Sequence, residues 1–218
     1  MLKFASIIFI FRLLGDEQTK ESLIYATNKG HIVCNELRPR HSSCKKCQFQ
    51  VSNGIPVTDF DINDSNELLV GAGQDGSFVV WNVPKGEELR RIHFSLDALL
   101  PRGVFVSFAR FLPRNNNLIA CALSNGVLQV LNVSTGKFNH DCAGATMLGK
   151  TLAVCLNATG SVLWAGNDRG YIESFRMDST TGKIQVQKLF RLPAGFFRAL
   201  VGFFKALAGS FKALTPYF

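Results

Sequence analysis

Apolar and polar residues alternate along most of the chain in short runs, and polar turns ending in glycine break the runs. Alternation over about four to eight residues marks half-buried strands, not helices. The stretch "GAGQDGSFVVWN" (71–82) shows the unit: an apolar run, an Asp75–Gly76 turn, and a second run ending in Trp81. Asp-Gly between two such runs predicts a two-residue hairpin, because a type I′ turn needs positive φ at both central residues. Three further stretches share this grammar: "LIYATNKGHIVCNEL" from Leu23, "LIACALSNGVLQVLN" from Leu118, and "VLWAGNDRGYIESFR" from Val162, which contains Trp164. Their turn glycines, Gly30, Gly76, Gly126 and Gly170, are spaced by 46, 50 and 44 residues. Lys29, Asp75, Asn125 and Arg169 precede them, with Asp168 one step earlier in the last copy.

A period in the forties with internal hairpins points to a repeat. Another alternating segment stands upstream of three hairpins: "PVTDFDI" (56–62), "VFVSFARF" (104–111) and "TLAVCLN" (151–157). The polar turns "NDSNE", "PRNNN" and "ATGS" follow them. Downstream come a polar link and a fourth run, in "NVPKGEELRRIHF", "NVSTGKF" and "DSTTGKIQVQKLF". Each unit therefore predicts four short antiparallel strands. One such unit cannot bury its apolar faces alone, so units must stack. Four strands in roughly 40–45 residues describe a propeller blade.

The blade stretches resemble repeats of the WD-repeat family, most specifically at "FLPRNNNL" (111–118), "LNVSTGK" (131–137) and "LWAGNDRG" (163–170). "PVTDFD" (56–61) and "LKFA" (2–5) fit the same register, with "LKFA" opening the first blade and the apolar residues after it an insertion. The resemblance covers roughly residues 20–190. It implies a soluble nuclear or cytoplasmic protein that binds other proteins and catalyses nothing, with no cofactor and no metal. The structural repeat positions it marks are Gly30, Asp75, Gly76, Trp81, Asn125, Gly126, Trp164, Asp168 and Gly170. In the family a Gly-His pair, a turn Asp, a strand Ser/Thr and a Trp form a hydrogen-bonded network. Here "SNGIPV" (52–57) takes the place of the Gly-His pair, and Leu131 and Phe175 stand where the Trp is expected. Asp75 and Trp81 remain as partners in one blade, so burial is expected to hold the blades more than that network does.

Composition agrees with a folded chain: 218 residues, 47% hydrophobic and 18% charged, outside the disordered range. The net charge of +8 is uneven. The last 28 residues hold Arg191, Arg198, Lys205 and Lys212 and no acid, so they carry half of it. What remains is no nucleic-acid signature. The segment "GFFRALVGFFKALAGSFKALT" (195–215) repeats a heptad three times and predicts a basic amphipathic helix about 30 Å long. Its three readings are a helix on anionic membrane, a cover for the open edge of the last blade, and the product of a tandem nucleotide repeat with further blades lost. The glycine kept in every heptad favours the last, because each costs a helix roughly 0.8–1 kcal/mol.

The expected fold is thus all-β: an incomplete WD-type propeller of about four blades plus a C-terminal amphipathic helix or disordered tail. A seven-bladed ring needs about 300 residues at this period. The division is 1–22 (N-terminal strand and apolar insertion), 23–190 (blades) and 191–218 (basic tail). The apolar run Phe4–Phe11 has the length of a secretory h-region, but Arg12 interrupts it and no small-residue cleavage site follows. It is too short to span a bilayer. Weak membrane-surface contact by the two ends is the alternative to a protein scaffold. Six cysteines, Cys34, Cys44, Cys47, Cys121, Cys142 and Cys155, read as small hydrophobes in a reducing compartment. "HSSCKKC" (41–47) also offers His41, Cys44 and Cys47, with Cys34, as four zinc ligands, but no second CxxC completes a familiar knuckle and the stretch also reads as the outer strand of the first blade. The histidines His31, His41, His93 and His140 are scattered, and "GAGQDG" (71–76) opens a strand rather than a helix, which argues against dinucleotide binding.

Overall fold

The computed structural model describes residues 11–14, 22–36, 46–93, 103–138 and 145–191, and among them every regular element is a strand. The chain divides into two compact units, Met1–Val106 and Ser107–Phe218. In the first unit β1 (Phe11–Leu14), β2 (Ser22–Ala26), β3 (His31–Glu36) and β4 (Lys46–Gln50) form one antiparallel sheet in chain order. A second sheet follows, of β5 (Val57–Ile62), β6 (Leu68–Gly73), β7 (Ser77–Asn82) and β8 (Glu87–His93). These are blades 1 and 2.

The second unit holds blades 3 and 4. Blade 3 comprises β9 (Val106–Leu112), β10 (Asn115–Leu123), β11 (Val127–Asn132) and an outer strand in two pieces. Those pieces, β12 (Lys137–Phe138) and β13 (Ala145–Thr146), both pair with β11. Blade 4 comprises β14 (Thr151–Leu156), β15 (Val162–Asn167), β16 (Tyr171–Met177) and β17 (Ile184–Arg191). The fold is all-β, with four sheets of the propeller-blade kind.

Strict alternation of burial is seen in β15, whereas β5, β6 and β7 are buried on both faces and β8 and β17 are exposed along most of their length. In the first unit Ile24, Ile32 and Phe49 from blade 1 meet Phe60, Leu69, Val79 and Trp81 from blade 2 in one cluster. In the second, Leu118, Leu128 and Val130 from blade 3 meet Val154, Leu163, Phe175 and Met177 from blade 4. Each side chain of this size contributes about 1.5–3 kcal/mol when fully buried. Five residues past Gly76, Gly126 and Gly170 stand Trp81, Leu131 and Phe175, all buried, whereas Asn35, five past Gly30, is partly exposed. One apolar position thus accepts three different side chains.

Blades 2 and 4 share irregularities. Their first strand pairs shift register between Val57 and Asp59, and between Thr151 and Ala153. Their last pairs shift between Val80 and Trp81, and between Ser174 and Phe175. In the last pairs the extra residue lies on the outer strand, Leu89 in β8 and Gln187 in β17, opposite the steps into Trp81 and Phe175, and a bulge raises local twist.

Three expectations change. The strand paired to β2 is Phe11–Leu14, so the end of the apolar run, expected as part of an insertion, supplies the first strand of blade 1. The turn expected across "PRNNN" contracts to Pro113–Arg114, with Arg114 at φ 65°, and Asn115–Asn117 enter β10. Those asparagines bind backbone instead of forming a loop: Asn115 Nδ2 donates to the Ser179 carbonyl at 2.8 Å, and Asn117 Oδ1 accepts from the Ser134 N–H at 2.9 Å. The last strand runs one residue past the expected limit at 190, with Arg191 opposite Tyr171. Residues 1–10, His41, Cys44, His140, Cys142 and the heptads after Arg191 lie outside the described residues.

Candidate functional site

The nine repeat positions do not converge on one site. They divide into turns, core and surface. Gly30, Gly76, Gly126 and Gly170 close the turns with φ of 83°, 88°, 89° and 81°. Two of them also touch the link to the next blade. The Gly30 carbonyl accepts from the Val51 N–H at 2.8 Å, and the Gly126 carbonyl from the Met147 N–H at 2.9 Å. A Cβ on Gly126 would lie 2.6 Å from the Gly149 carbonyl oxygen, and one on Gly30 would overlap Ser52.

The acidic and amide turn residues act locally. Asp75 Oδ1 accepts from the Ser77 N–H and Oδ2 from the Ser77 hydroxyl, both at 2.9 Å. Asn125 Oδ1 accepts from the Val127 N–H at 3.2 Å. Asp168 Oδ1 reaches further, accepting from the Lys150 N–H at 2.9 Å and so tying its turn to the segment before β14. Asp75 and Trp81, expected as partners in one network, make separate contacts. Trp81 packs on Phe49.

Sequence reasoning passed over a second set of turn residues. Asn82, Asn132 and Asp178 each begin the turn into the outer strand and accept backbone N–H groups, from Lys85, from Thr135, and from Thr180 and Thr181. They open the links "NVPKG", "NVSTG" and "DSTTG", so the signal was present as a recurrent Asx residue four before glycine.

The outer strands are where the blades differ. In β8 the exposed residues include Glu87, Glu88, Arg90 and Arg91, with Leu89 the one large apolar side chain among them. Arg91 pairs with Glu88 at 2.6 Å and donates to the Val51 and Gln50 carbonyls at 2.9 and 3.0 Å. A charged edge of this kind discourages pairing with other chains. In β17 the exposed residues include Val186, Leu189 and Phe190, three of the six large apolar side chains exposed among the described residues.

At the end of β17 two contacts form, one on each face of the sheet, since Phe190 and Arg191 are adjacent in the strand. Phe190 stacks on half-exposed Trp164, with ring centroids 6.1 Å apart and planes 28° apart. The Arg191 guanidinium lies over the Tyr171 ring, 5.9 Å from its centroid. The bulge between Ser174 and Phe175 sets this geometry. It puts Phe190 opposite Ile172 and Lys188 opposite Ser174, while Trp164 is opposite Ser174 on the other side. A slip of one residue flips a strand's side chains to the other face, so without the bulge Leu189 would stand where Phe190 does. Trp, Tyr and Arg are the residue types that dominate binding energy at protein interfaces.

Among the described residues no group of three or more His, Cys, Asp and Glu could hold a metal ion. No described helix is long and apolar enough to cross a membrane.

No family model matches the chain. Among solved structures, a chain of "Crystal Structure of Mitotic Checkpoint Complex" superposes with a TM-score of 0.67 at 10% identity, covering 86% of this chain and 54% of that one. This chain therefore spans about half the length of that neighbour. Matches extend to 1391 solved chains, so the likeness fixes the fold and selects no partner. The fold is that of β-propeller blades.

Proposed function

We propose that this chain is a non-catalytic protein-interaction scaffold built of WD-type repeats, working in the nucleus within a larger regulatory complex. The two contacts at the end of β17, Phe190 on Trp164 on one face and Arg191 over Tyr171 on the other, carry this reading. They present aromatic and cationic side chains at a strand edge, where the equivalent strand of blade 2 presents paired charges. The neighbour from the mitotic checkpoint complex belongs to a multiprotein assembly by its title, which supports a scaffold role. The stretches 111–118, 131–137 and 163–170 resemble those of WD repeat-containing protein thirteen and its relatives, and nuclear placement rests on that resemblance. Of the division expected from the sequence (23–190 as blades, 191–218 as tail), we also propose a blade region followed by a tail apart from it, with β1, Ser22 and Arg191 counted to the blades.

A photoreactive phenylalanine analogue placed at Val186 on β17, and separately at Leu89 on β8, tests the reading in nuclear extract. A discrete protein crosslinked from position 186 and not from 89 is the expected result. Identical crosslinks from both positions, or none from 186, would remove the assignment of the surface.

A further inference from the structure

Cys34 on β3 and Cys47 on β4 are direct cross-strand partners. Both side chains lie on the same face of blade 1, partly buried against the cluster that holds Ile32, Phe49 and Trp81. Both carry thiols and both keep access to solvent. The other two described cysteines face no thiol. Cys121 is opposite Gln129 and only 2% exposed, and Cys155 is opposite Trp164.

The ladder fixes the geometry of the pair. The Val51 N–H donates to the Gly30 carbonyl, and Cys34 and Cys47 lie four steps along the same register. Hydrogen-bonded and non-hydrogen-bonded pairs alternate, so Cys34–Cys47 is a hydrogen-bonded pair with Cα atoms about 5.5 Å apart. That separation lies inside the disulfide range, whereas Cβ atoms at about 4.5–5.5 Å must approach to about 3.8 Å. Closure therefore draws the two strands together and leaves a bond that is easily reduced. The pair is one step from Asn35–Lys46, the last pair of the described ladder.

We propose that Cys34 and Cys47 form a peroxide-sensitive dithiol site that closes reversibly to a disulfide. One thiolate attacks a hydrogen peroxide oxygen. The O–O bond breaks, the sulfur becomes a sulfenic acid, and the departing hydroxide takes a proton to become water. The second thiol then attacks that sulfur, forming the S–S bond and releasing the sulfenic oxygen as a second water. Two sulfurs lose two electrons in total and one peroxide gains them. A dithiol reductant reverses the bond by exchange. Cys155 is a poor competitor, since burial pushes its thiol pKa up against the lowering effect of Arg110, and the thiolate is the reactive form.

Tryptic mapping of the full chain after hydrogen peroxide treatment and alkylation tests this. Arg40, Lys45 and Lys46 place Cys34, Cys44 and Cys47 on three different peptides, so each possible bridge is distinguishable. The expected result is a Cys34–Cys47 linked peptide, cleaved by dithiothreitol, formed before Cys121 or Cys155 is modified and formed equally in Cys44→Ser. In Cys47→Ser, Cys34 is expected to accumulate as a dimedone-trapped sulfenic acid. A bridge to Cys44, a link between two molecules, or full alkylation of Cys34 and Cys47 after peroxide would overturn the proposal. The wild-type map decides it even where a variant fails to fold.

Discussion

The ring of Phe49 lies 5.5 Å from that of Trp81, with the two planes tilted by 54°. This contact joins the outer strand of blade 1 to the third strand of blade 2, and Trp81 is 4% exposed. Tilted aromatic pairs at this distance contribute about 0.5–1.5 kcal/mol beyond the area they bury. Trp81→Ala is expected to destabilise the first unit by about 3–5 kcal/mol. A double-mutant cycle with Phe49→Ala, read by urea unfolding, is expected to give a coupling of about 0.5–1.5 kcal/mol. Additive effects would show that the two rings do not share one packing site.

The turn glycines separate by what surrounds them. At Gly86, with φ 68°, an added methyl group would meet nothing within 4 Å, while at Gly126, with φ 89°, it would press on the Gly149 carbonyl. Gly86→Ala carries only the left-handed penalty of about 1–2 kcal/mol. Gly126→Ala is expected to cost clearly more, because a backbone oxygen cannot rotate away. Thermal midpoints of the two variants check this, and equal losses would contradict the clash.

Asp178 gives a pH dependence. Its carboxylate accepts from the Thr180 N–H first, then from Thr181, and these bonds hold its pKa below the ordinary aspartate value. A depressed folded pKa adds stability above the unfolded value, near about 3.9, and that stability is lost as pH falls through the lower folded value. Asp178→Asn keeps the accepting oxygen and removes the titration. The difference in melting temperature between wild type and Asp178→Asn is expected to shrink as pH falls below about 4. A difference that stays constant through this window would sink the assignment.

The repeat was legible because its signals are local. Gly30, Gly76, Gly126 and Gly170 mark turns that demand positive φ, and the runs around them alternate with period 2. Register was not legible. The Trp164–Phe190 stack depends on a one-residue bulge at Ser174 that no turn residue announces. The facing of Cys34 and Cys47 depends on how β4 returns beside β3, which their spacing of 13 residues does not state. "PRNNN" misled for a related reason: asparagine favours turns by bonding nearby backbone, and here Asn115 and Asn117 bond distant backbone from within a strand.

The most direct test is the affinity of the partner crosslinked at position 186 for three purified chains: wild type, Phe190→Ser on β17 and Leu89→Ser on β8. An interface hot spot is worth at least about 2 kcal/mol, or more than tenfold in affinity. The expected result is binding weakened at least about tenfold by Phe190→Ser and unchanged by Leu89→Ser, with melting temperatures of all three alike. Phe190→Ser binding as tightly as wild type would contradict the assignment of the blade 4 outer strand as the scaffold's docking surface.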